Sequence, residues 1–397
     1  MGPKPISKRL QGIRESVIRE MTRLAERHDA INLAQGFPDF DPPEQVKEGA
    51  IKAIRGGENQ YSFTWGLPEL RAAVARKVKR FNGIDADPDL NVTITCGSTE
   101  AMFASILALA NPGDEFIVLE PSYENYIPAI LLAGARPRCV TLSGEDFGLD
   151  EEALKEAFGP RTKAIIVNTP HNPTGKVFDK KALRLIADLC AERGSYALTD
   201  EIYEHIIYDG LKHMSLAALG DMCDRTITIS GISKSHSATG WRVGYVVAPA
   251  ELTAAIRKVH DYMTVCAPTP LQWAALHALS LPESYYSELA SEYERRRNYF
   301  VPALRELGFV APMPQGAYYV LADFSALSGE DDVAFSLRLV SGARVAVVPG
   351  SSFYLNGKYG ASKIRFAFCK QLATLREAVS RLSSFLAGRD GRGGDKA

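Results

Sequence analysis

The sequence predicts an α/β fold, and three observations carry that prediction. Short apolar or β-branched runs recur along the chain, helical patterns separate them, and loops rich in Gly, Pro, Ser, Asn and Asp follow several of the runs. The 397 residues are 46% hydrophobic and 23% charged with a formal net charge of -1, long and apolar enough for two domains sharing a large core. No basic excess points to nucleic acid and no acidic excess to disorder, so no nucleic-acid partner is expected. Cys96, Cys139, Cys190, Cys223, Cys266 and Cys369 are scattered without a C-x-x-C pair. They read as reduced thiols of a cytoplasmic protein, with neither disulfides nor a metal site expected. No apolar run approaches the roughly 20 residues a membrane helix needs, so no membrane partner is expected. The basic start, Met1 to Met21, carries Glu15 and Glu20 and lacks an apolar core, which reads as a surface amphipathic helix rather than a signal or transit peptide. There are no internal repeats.

The first helix is predicted over Ser16–Arg27, with Val17, Ile18, Met21, Leu24 and Ala25 along one side. Proline density makes Ile31 to Pro43 a loop or a domain connector. A helix over Glu44–Ile54 follows, and after it comes a loop in which Tyr61 would ordinarily be half-buried packing. Val92–Thr95 alternates as a strand and runs into Cys96-Gly97-Ser98-Thr99-Glu100-Ala101 and a helix to Ala110. Strand, glycine, hydroxyls and helix aim free N–H groups and a partial positive charge at an anion, although Ser98 or Thr99 also fits a plain helix cap. Phe116–Glu120 is a second strand, with Pro121-Ser122-Tyr123 beyond its carboxyl end.

Lys163–Asn168 has the continuous apolar look of a buried parallel strand. It ends in Thr169-Pro170-His171-Asn172-Pro173-Thr174-Gly175-Lys176, where two prolines bracket Asn172 in a rigid turn and the Asn172-Pro173 bond is a candidate for the cis form. Tyr196–Thr199 is another strand, with Asp200-Glu201-Ile202-Tyr203-Glu204 at its end, where Asp200 fits a helix cap as well as a site. Thr226–Ile229 leads into Ser230 to Tyr245, which places Lys234 past the carboxyl end of a strand, where open α/β sheets bind ligands.

A lysine among small hydroxyl residues (Ser233, Ser235), followed eight positions later by Arg242, suits an aldehyde cofactor that also carries a phosphate. Such a lysine forms a Schiff base if its amine is held deprotonated, and the arginine grips phosphate oxygens bidentately. A solvated basic loop or phosphosite fits S-x-S-K-S alone, but Gly240 and Gly244 around Trp241-Arg242 favour close backbone packing. Beyond Tyr245–Ala248 the reading gives a helix over Glu251–His260, a charged helix over Tyr285–Leu307 with mostly solvated charges, and alternating segments at 317–322, 333–340, 345–348 and 364–368. Arg365 sits between Ile364 and Phe366, so alternation alone allows a solvent face. Gly388 to Ala397 are rich in glycine and charge.

The Ser230–Tyr245 stretch resembles the cofactor-lysine motif of fold-type I pyridoxal-phosphate enzymes, specifically the class I aminotransferases. The likeness runs from Ile31 to Leu386, with motifs in family order. It implies a largely parallel seven-stranded sheet flanked by helices in a large domain over 46–284. It implies also a smaller α/β domain from 1–45 and 285–390, while the composition of the last residues predicts a disordered tail over 391–397. By resemblance Lys234 bears pyridoxal 5'-phosphate, Asp200 pairs with the pyridine nitrogen, and Asn172 and Tyr203 meet the phenolic oxygen. Tyr123 stacks on the ring, and Gly97, Ser98, Thr99, Ser233 and Arg242 belong to the cofactor site. Tyr61 would reach the neighbour's phosphate, which implies a homodimer with active sites at the interface. Arg365, with Asn172, Tyr123 and a backbone N–H near Gly36, would bind the substrate.

The nearest likeness is to kynurenine, glutamine, methionine and broad-specificity bacterial aminotransferases, on Gln35-Gly36-Phe37-Pro38-Asp39-Phe40 and on the turn around Asn172. His236 departs from the aromatic residue frequent at its position. The implied reaction is ping-pong transfer of an amino group from an L-amino acid to a 2-oxo acid, with Lys234 moving the Cα proton. Asp261 to Pro268 offers no basic residue beyond the helix and position 99 is Thr, which together favour a neutral, sulfur-containing or aromatic donor over an acidic one. β-Elimination from cysteine conjugates, oxygen-dependent oxidation and aspartate-type transfer use the same residues. An aminotransferase-like ligand sensor is the remaining alternative, set against by the about 30 residues before the substrate loop, fewer than the roughly 40 below which a domain needs help to fold alone.

Overall fold

The computed structural model describes residues 3–10 and 12–390; the expected tail over 391–397 lies outside the described residues. The strands are β1 (Ile31–Asn32), β2 (Val92–Thr95), β3 (Glu115–Glu120), β4 (Arg136–Thr141), β5 (Thr162–Asn168), β6 (Tyr196–Asp200), β7 (Thr226–Gly231), β8 (Gly244–Val247), β9 (Tyr319–Asp323), β10 (Val345–Ala346), β11 (Val348–Pro349) and β12 (Lys363–Ala367). The helices are α1 (Val17–Arg27), α2 (Glu44–Arg55), α3 (Pro68–Lys77), α4 (Gly97–Leu109), α5 (Tyr126–Leu132), α6 (Glu151–Ala157), α7 (Lys180–Arg193), α8 (Ala250–Thr264), α9 (Thr269–Leu279), α10 (Glu283–Glu306), α11 (Asp332–Arg338) and α12 (Leu372–Asp390).

Seven strands form the main sheet in the order β2-β8-β7-β6-β5-β3-β4. β8 is antiparallel to both its neighbours, and every other pairing is parallel. The apolar strands β3, β5, β6 and β7 lie in the middle, where helices cover both faces and continuous Val and Ile runs are stable. β4, which the sequence reading did not single out, occupies the edge. Its Pro137 has no N–H to donate, and an edge strand tolerates that.

The helices mostly follow their periodicity. α1 buries Ile18, Met21 and Ala25, and Ser16 caps it by accepting from the Arg19 N–H at 3.3 Å. α8 runs on to Thr264, four residues past its expected end. α10 is not simply a solvated charged helix: Arg297 is buried and grips Asp209 with both terminal nitrogens, at 2.6 and 2.7 Å.

Two small sheets stand apart from the main one, and the first joins the two ends of the chain. β1 pairs in parallel with β10, Ile31 opposite Val345, so the connector after α1 begins with a short strand. β12 lies between β11 and β9 in an antiparallel sheet, with Arg365 opposite Leu321. Phe300, Phe309 and Phe366 pack edge to face beneath it. Among the described residues no helix is long and apolar enough to cross a membrane.

Candidate active site

The carboxyl ends of β5, β6 and β7 and the turns after β2 and β3 open onto one cavity of about 670 Å³. Six of the seven main strands point that way, so loops distant in sequence converge there. Lys234, Asp200, Tyr203, Asn172, Tyr123, Ser98, Thr99, Ser233, Arg242, Arg365 and Gly36 all line the cavity. Gly97 is not among the lining residues but lies against Arg242, which is. Tyr61 does not line it either: its side chain is 81% exposed on the loop before α3.

Lys234 Nζ donates to the Gly36 carbonyl at 2.9 Å. Burial pushes its amine down to about 8, with the Cys369 thiol opposing and the Arg242 and Arg365 charges reinforcing the shift. Asp200, at the end of β6, is buried and forms no ion pair among the described residues. Burial raises its carboxyl, opposed by the Tyr126 hydroxyl, which donates to Oδ2 at 2.7 Å, by the Ile202 N–H at 3.3 Å and by the charge of Lys234 across the cavity. The sequence reading missed Tyr126. Tyr126→Phe should lower kcat/KM about 10- to 100-fold, the worth of one hydrogen bond to a charged group, as measured by initial rates of 2-oxo acid release.

At the other end of the cavity the turn from β2 to α4 lies against β8. A Cβ on Gly97, whose φ is +78°, would stand 2.3 Å from Arg242 Nη2, and one on Gly244 would stand 2.6 Å from the Ser98 nitrogen. Only glycine permits that approach. Gly240, by contrast, has nothing within 4 Å, so the expected close packing falls on Gly244 alone. Ser233 Oγ is buried and has no hydrogen-bond partner among the described residues. Behind the turn, Glu100 accepts from the Cys96 N–H at 2.5 Å and pairs with His260 Nδ1 at 2.6 Å, while His260 Nε2 meets the Thr64 carbonyl at 2.7 Å. Burial is the largest single influence on His260 and lowers it, but the hydrogen bond and charge of Glu100, the Thr64 carbonyl and the Asp261 charge together outweigh it and the net shift is upward.

Arg365 settles the question its alternation left open: it is buried, with Nη1 donating to Asn172 Oδ1 at 2.8 Å and Nη2 to the Ala34 carbonyl at 2.5 Å. Its Nε has no hydrogen-bond partner among the described residues. Asn168, also missed from sequence, accepts from the Asn172 N–H at 2.7 Å and donates to the Asp200 carbonyl at 2.8 Å, tying β5 to β6. The Asn172-Pro173 bond is cis, as are Thr169-Pro170 and Glu120-Pro121. Tyr203 shares a 2.9 Å hydrogen bond with Tyr319, another cavity residue the sequence reading passed over. Glu201, Glu204 and His213 also come together, within 4.8 Å, but Lys77 pairs with Glu204 at 2.6 Å and supplies the positive charge there.

A depressed lysine amine, a buried carboxylate in no ion pair among the described residues and an inward-turned arginine, all facing one cavity at the carboxyl edge of a mostly parallel sheet, define the site of a fold-type I aminotransferase. The chain belongs to the family described as aminotransferase class I and II, which it matches over residues 28–382. It is 39% identical to a probable N-succinyldiaminopimelate aminotransferase of Mycobacterium tuberculosis, over 94% of this chain and 97% of the relative. It is 38% identical to an aspartate aminotransferase of Pyrococcus abyssi, over 96% and 98%. A solved Escherichia coli structure described as having a methionine aminotransferase function superposes with a TM-score of 0.91 at 36% identity, covering 96% of this chain and all of that one. This chain is thus an enzyme that transfers amino groups between amino acids and 2-oxo acids. Its family generally depends on pyridoxal 5'-phosphate.

The residues present fit that group. The unpartnered Ser233 hydroxyl, Arg242 and the first N–H groups of α4 offer an anion site for a phosphate. Asp200 lacks the cation that a protonated ring nitrogen would be, and Lys234 offers an amine at the same cavity.

Proposed function

We propose that this enzyme takes amino groups from neutral, sulfur-containing or aromatic L-amino acids and passes them to a 2-oxo acid by a ping-pong route, using pyridoxal 5'-phosphate. The observation that carries this reading is one cavity holding a lysine amine pushed down to about 8, an Asp200 carboxylate in no ion pair among the described residues, and Arg365 with an Nε that has no hydrogen-bond partner among them. The cofactor, when bound, supplies an aldehyde for the amino group and a cationic ring that draws electrons from the substrate Cα.

The chain's residues do the rest. Lys234 is the covalent anchor, and its freed Nζ takes the Cα proton and returns it. Asp200 supplies the negative charge that keeps a ring nitrogen protonated, and the Tyr126 hydroxyl orients that carboxylate. Gly97, Ser98, Thr99, Ser233 and Arg242 hold the phosphate. Asn172, its Oδ1 engaged by Arg365, has its amide N–H groups left for the phenolic oxygen, which Tyr203 also meets. Tyr123 covers the ring face. Arg365 and a Gly36 backbone N–H bind the α-carboxylate.

Tyr61 then acts in a neighbouring subunit's site, in a homodimer; its exposure supports that reading. We assign 46–284 to a large cofactor-binding domain and both flanks to a smaller one, in keeping with a main sheet drawn from 92–247 and a small one drawn from 319–367. Six unpaired cysteines favour a cytoplasmic location.

An acidic donor is the second reading. Arg19 on α1 lines the same cavity and forms no ion pair among the described residues, so the mouth carries a cation that Asp261 to Pro268 does not supply. One experiment tests both. Holoenzyme incubated with a single amino acid and no acceptor should release one equivalent of the matching 2-oxo acid per site. Release from phenylalanine or methionine but not glutamate supports the first reading, and the reverse supports the second. No release from any donor, or ammonia formed alongside pyruvate from a cysteine conjugate, refutes transfer as the main reaction.

Lys234 is reactive only when neutral. With the amine at about 8, the rate of covalent cofactor uptake by apoprotein should rise about tenfold from pH 6 to 7 and level off above about pH 9. Stopped-flow absorbance reads this directly, and a rate independent of pH would contradict it.

A further inference from the structure

We propose that Lys370 is a positioning residue for the aromatic wall of the substrate cavity, and that through Phe37 it sets a preference for bulky aromatic side chains. The inference rests on the neutral-donor reading above. Lys370 follows β12, is only 3% exposed, and forms no ion pair among the described residues. Buried ammonium groups are rare and unfavourable without a partner. Burial holds this one below its ordinary range, with Cys369 and Asp39 pushing the other way.

What the ammonium meets is a single loop. Nζ donates to the Phe37 carbonyl at 2.7 Å and stands 3.7 Å from the centre of the Phe37 ring. Beside it, the Gln371 N–H donates to Asp39 Oδ1 and the Thr374 hydroxyl to Asp39 Oδ2, both at 2.6 Å, so Asp39 closes the start of α12. Two carbonyls just before Phe37 are held from the cavity side, Ala34 by Arg365 and Gly36 by Lys234, and Gly36 also accepts from the core residue Tyr318 at 3.1 Å. Phe37 lines the cavity between these two sets of anchors.

A desolvated cation over a ring fixes the plane of that ring. A fixed ring is a flat wall against which an aromatic side chain stacks without the loss of rotamer freedom that a mobile wall would suffer. A small side chain does not reach the wall and gains nothing from it. Lys370 therefore acts on one class of substrate and not on the chemistry, which Lys234 performs with either.

The test uses wild-type, Lys370→Met and Lys370→Arg holoenzymes, titrated calorimetrically with 3-phenylpropionate and with propionate. Both ligands carry the carboxylate and neither has an amino group, so neither reacts. Lys370→Met is expected to weaken 3-phenylpropionate about tenfold and propionate by less than about twofold, and Lys370→Arg to recover most of the difference. Equal weakening of both ligands, no weakening of 3-phenylpropionate, or its failure to bind the wild type overturns the proposal. Failure of the transfer reading would show separately, as wild-type holoenzyme releasing no 2-oxo acid from any donor.

Discussion

Lys234→Ala should reduce 2-oxo acid formation about 10⁴-fold, the upper range for a lost acid–base group, while leaving the fold intact. Two functions disappear together, the covalent anchor and the base, and among the described residues no second amine lines the cavity to replace either. Local structure should survive because the Gly36 carbonyl keeps its hydrogen bond from Tyr318 at 3.1 Å. The apoprotein should in fact gain stability at pH 7. A lysine whose folded pKa is about 8, below its ordinary 10.5, must be charged in an unfavourable setting at any pH under 8, and that penalty fades only as pH rises to the unfolded value. The shift corresponds to roughly 3 kcal/mol, and removing the amine relieves it. Calorimetry on wild-type and variant apoprotein at pH 7 would show a higher melting temperature for Lys234→Ala; a large drop would mean that the lysine is structural. Lys234→Arg should not rescue activity, since a guanidinium does not deprotonate in this range.

Much of this site is legible in the chain because its residues sit on loops immediately after strands whose β-branched or apolar runs are plain. Thr226–Gly231 and Thr162–Asn168 are such runs, and the sheet's common direction brings Lys234 and Asn172 to one edge without further information. Contacts between elements far apart in sequence are harder to read. Arg365 and Asn172 are 193 residues apart, and no local pattern says that a β-strand arginine turns inward to an amide. Lys370 and Phe37 are 333 apart, and a lysine at the end of an apolar strand looks like solvated punctuation. Tyr126 escaped notice because it opens a helix three residues after Tyr123, and which of two tyrosines reaches Asp200 is decided by the turn between them. β4 and Arg297 were hidden for a different reason. Polar composition is compatible with an edge strand and with a buried bidentate pair, and only packing distinguishes these from exposed loop and helix.

Asp200→Asn should lower kcat about 10³-fold with every donor, the size of effect seen when a preorganised charge at the reacting group is removed. The substitution preserves shape and keeps an oxygen for the Tyr126 hydroxyl, so the loss is one of charge. A carboxylate that burial pushes upward is costly in the apoprotein, most of all at pH values above its folded pKa, and the cost is absent below the unfolded value near 3.8. The asparagine apoprotein should therefore melt no lower than wild type at pH 7, and the wild type should close the gap as pH falls toward 4. Cofactor reverses the order, because a protonated ring nitrogen gives the aspartate the opposite charge it lacks. The same titration in holoenzyme should show wild type gaining more stability from pyridoxal phosphate than the variant does. Equal gains would mean that Asp200 does not face the ring nitrogen. Lys234 and Asp200 are thus two opposite charges held in one cavity, each unfavourable where it stands and each relieved by the same ligand, one by covalent capture and the other by ion pairing.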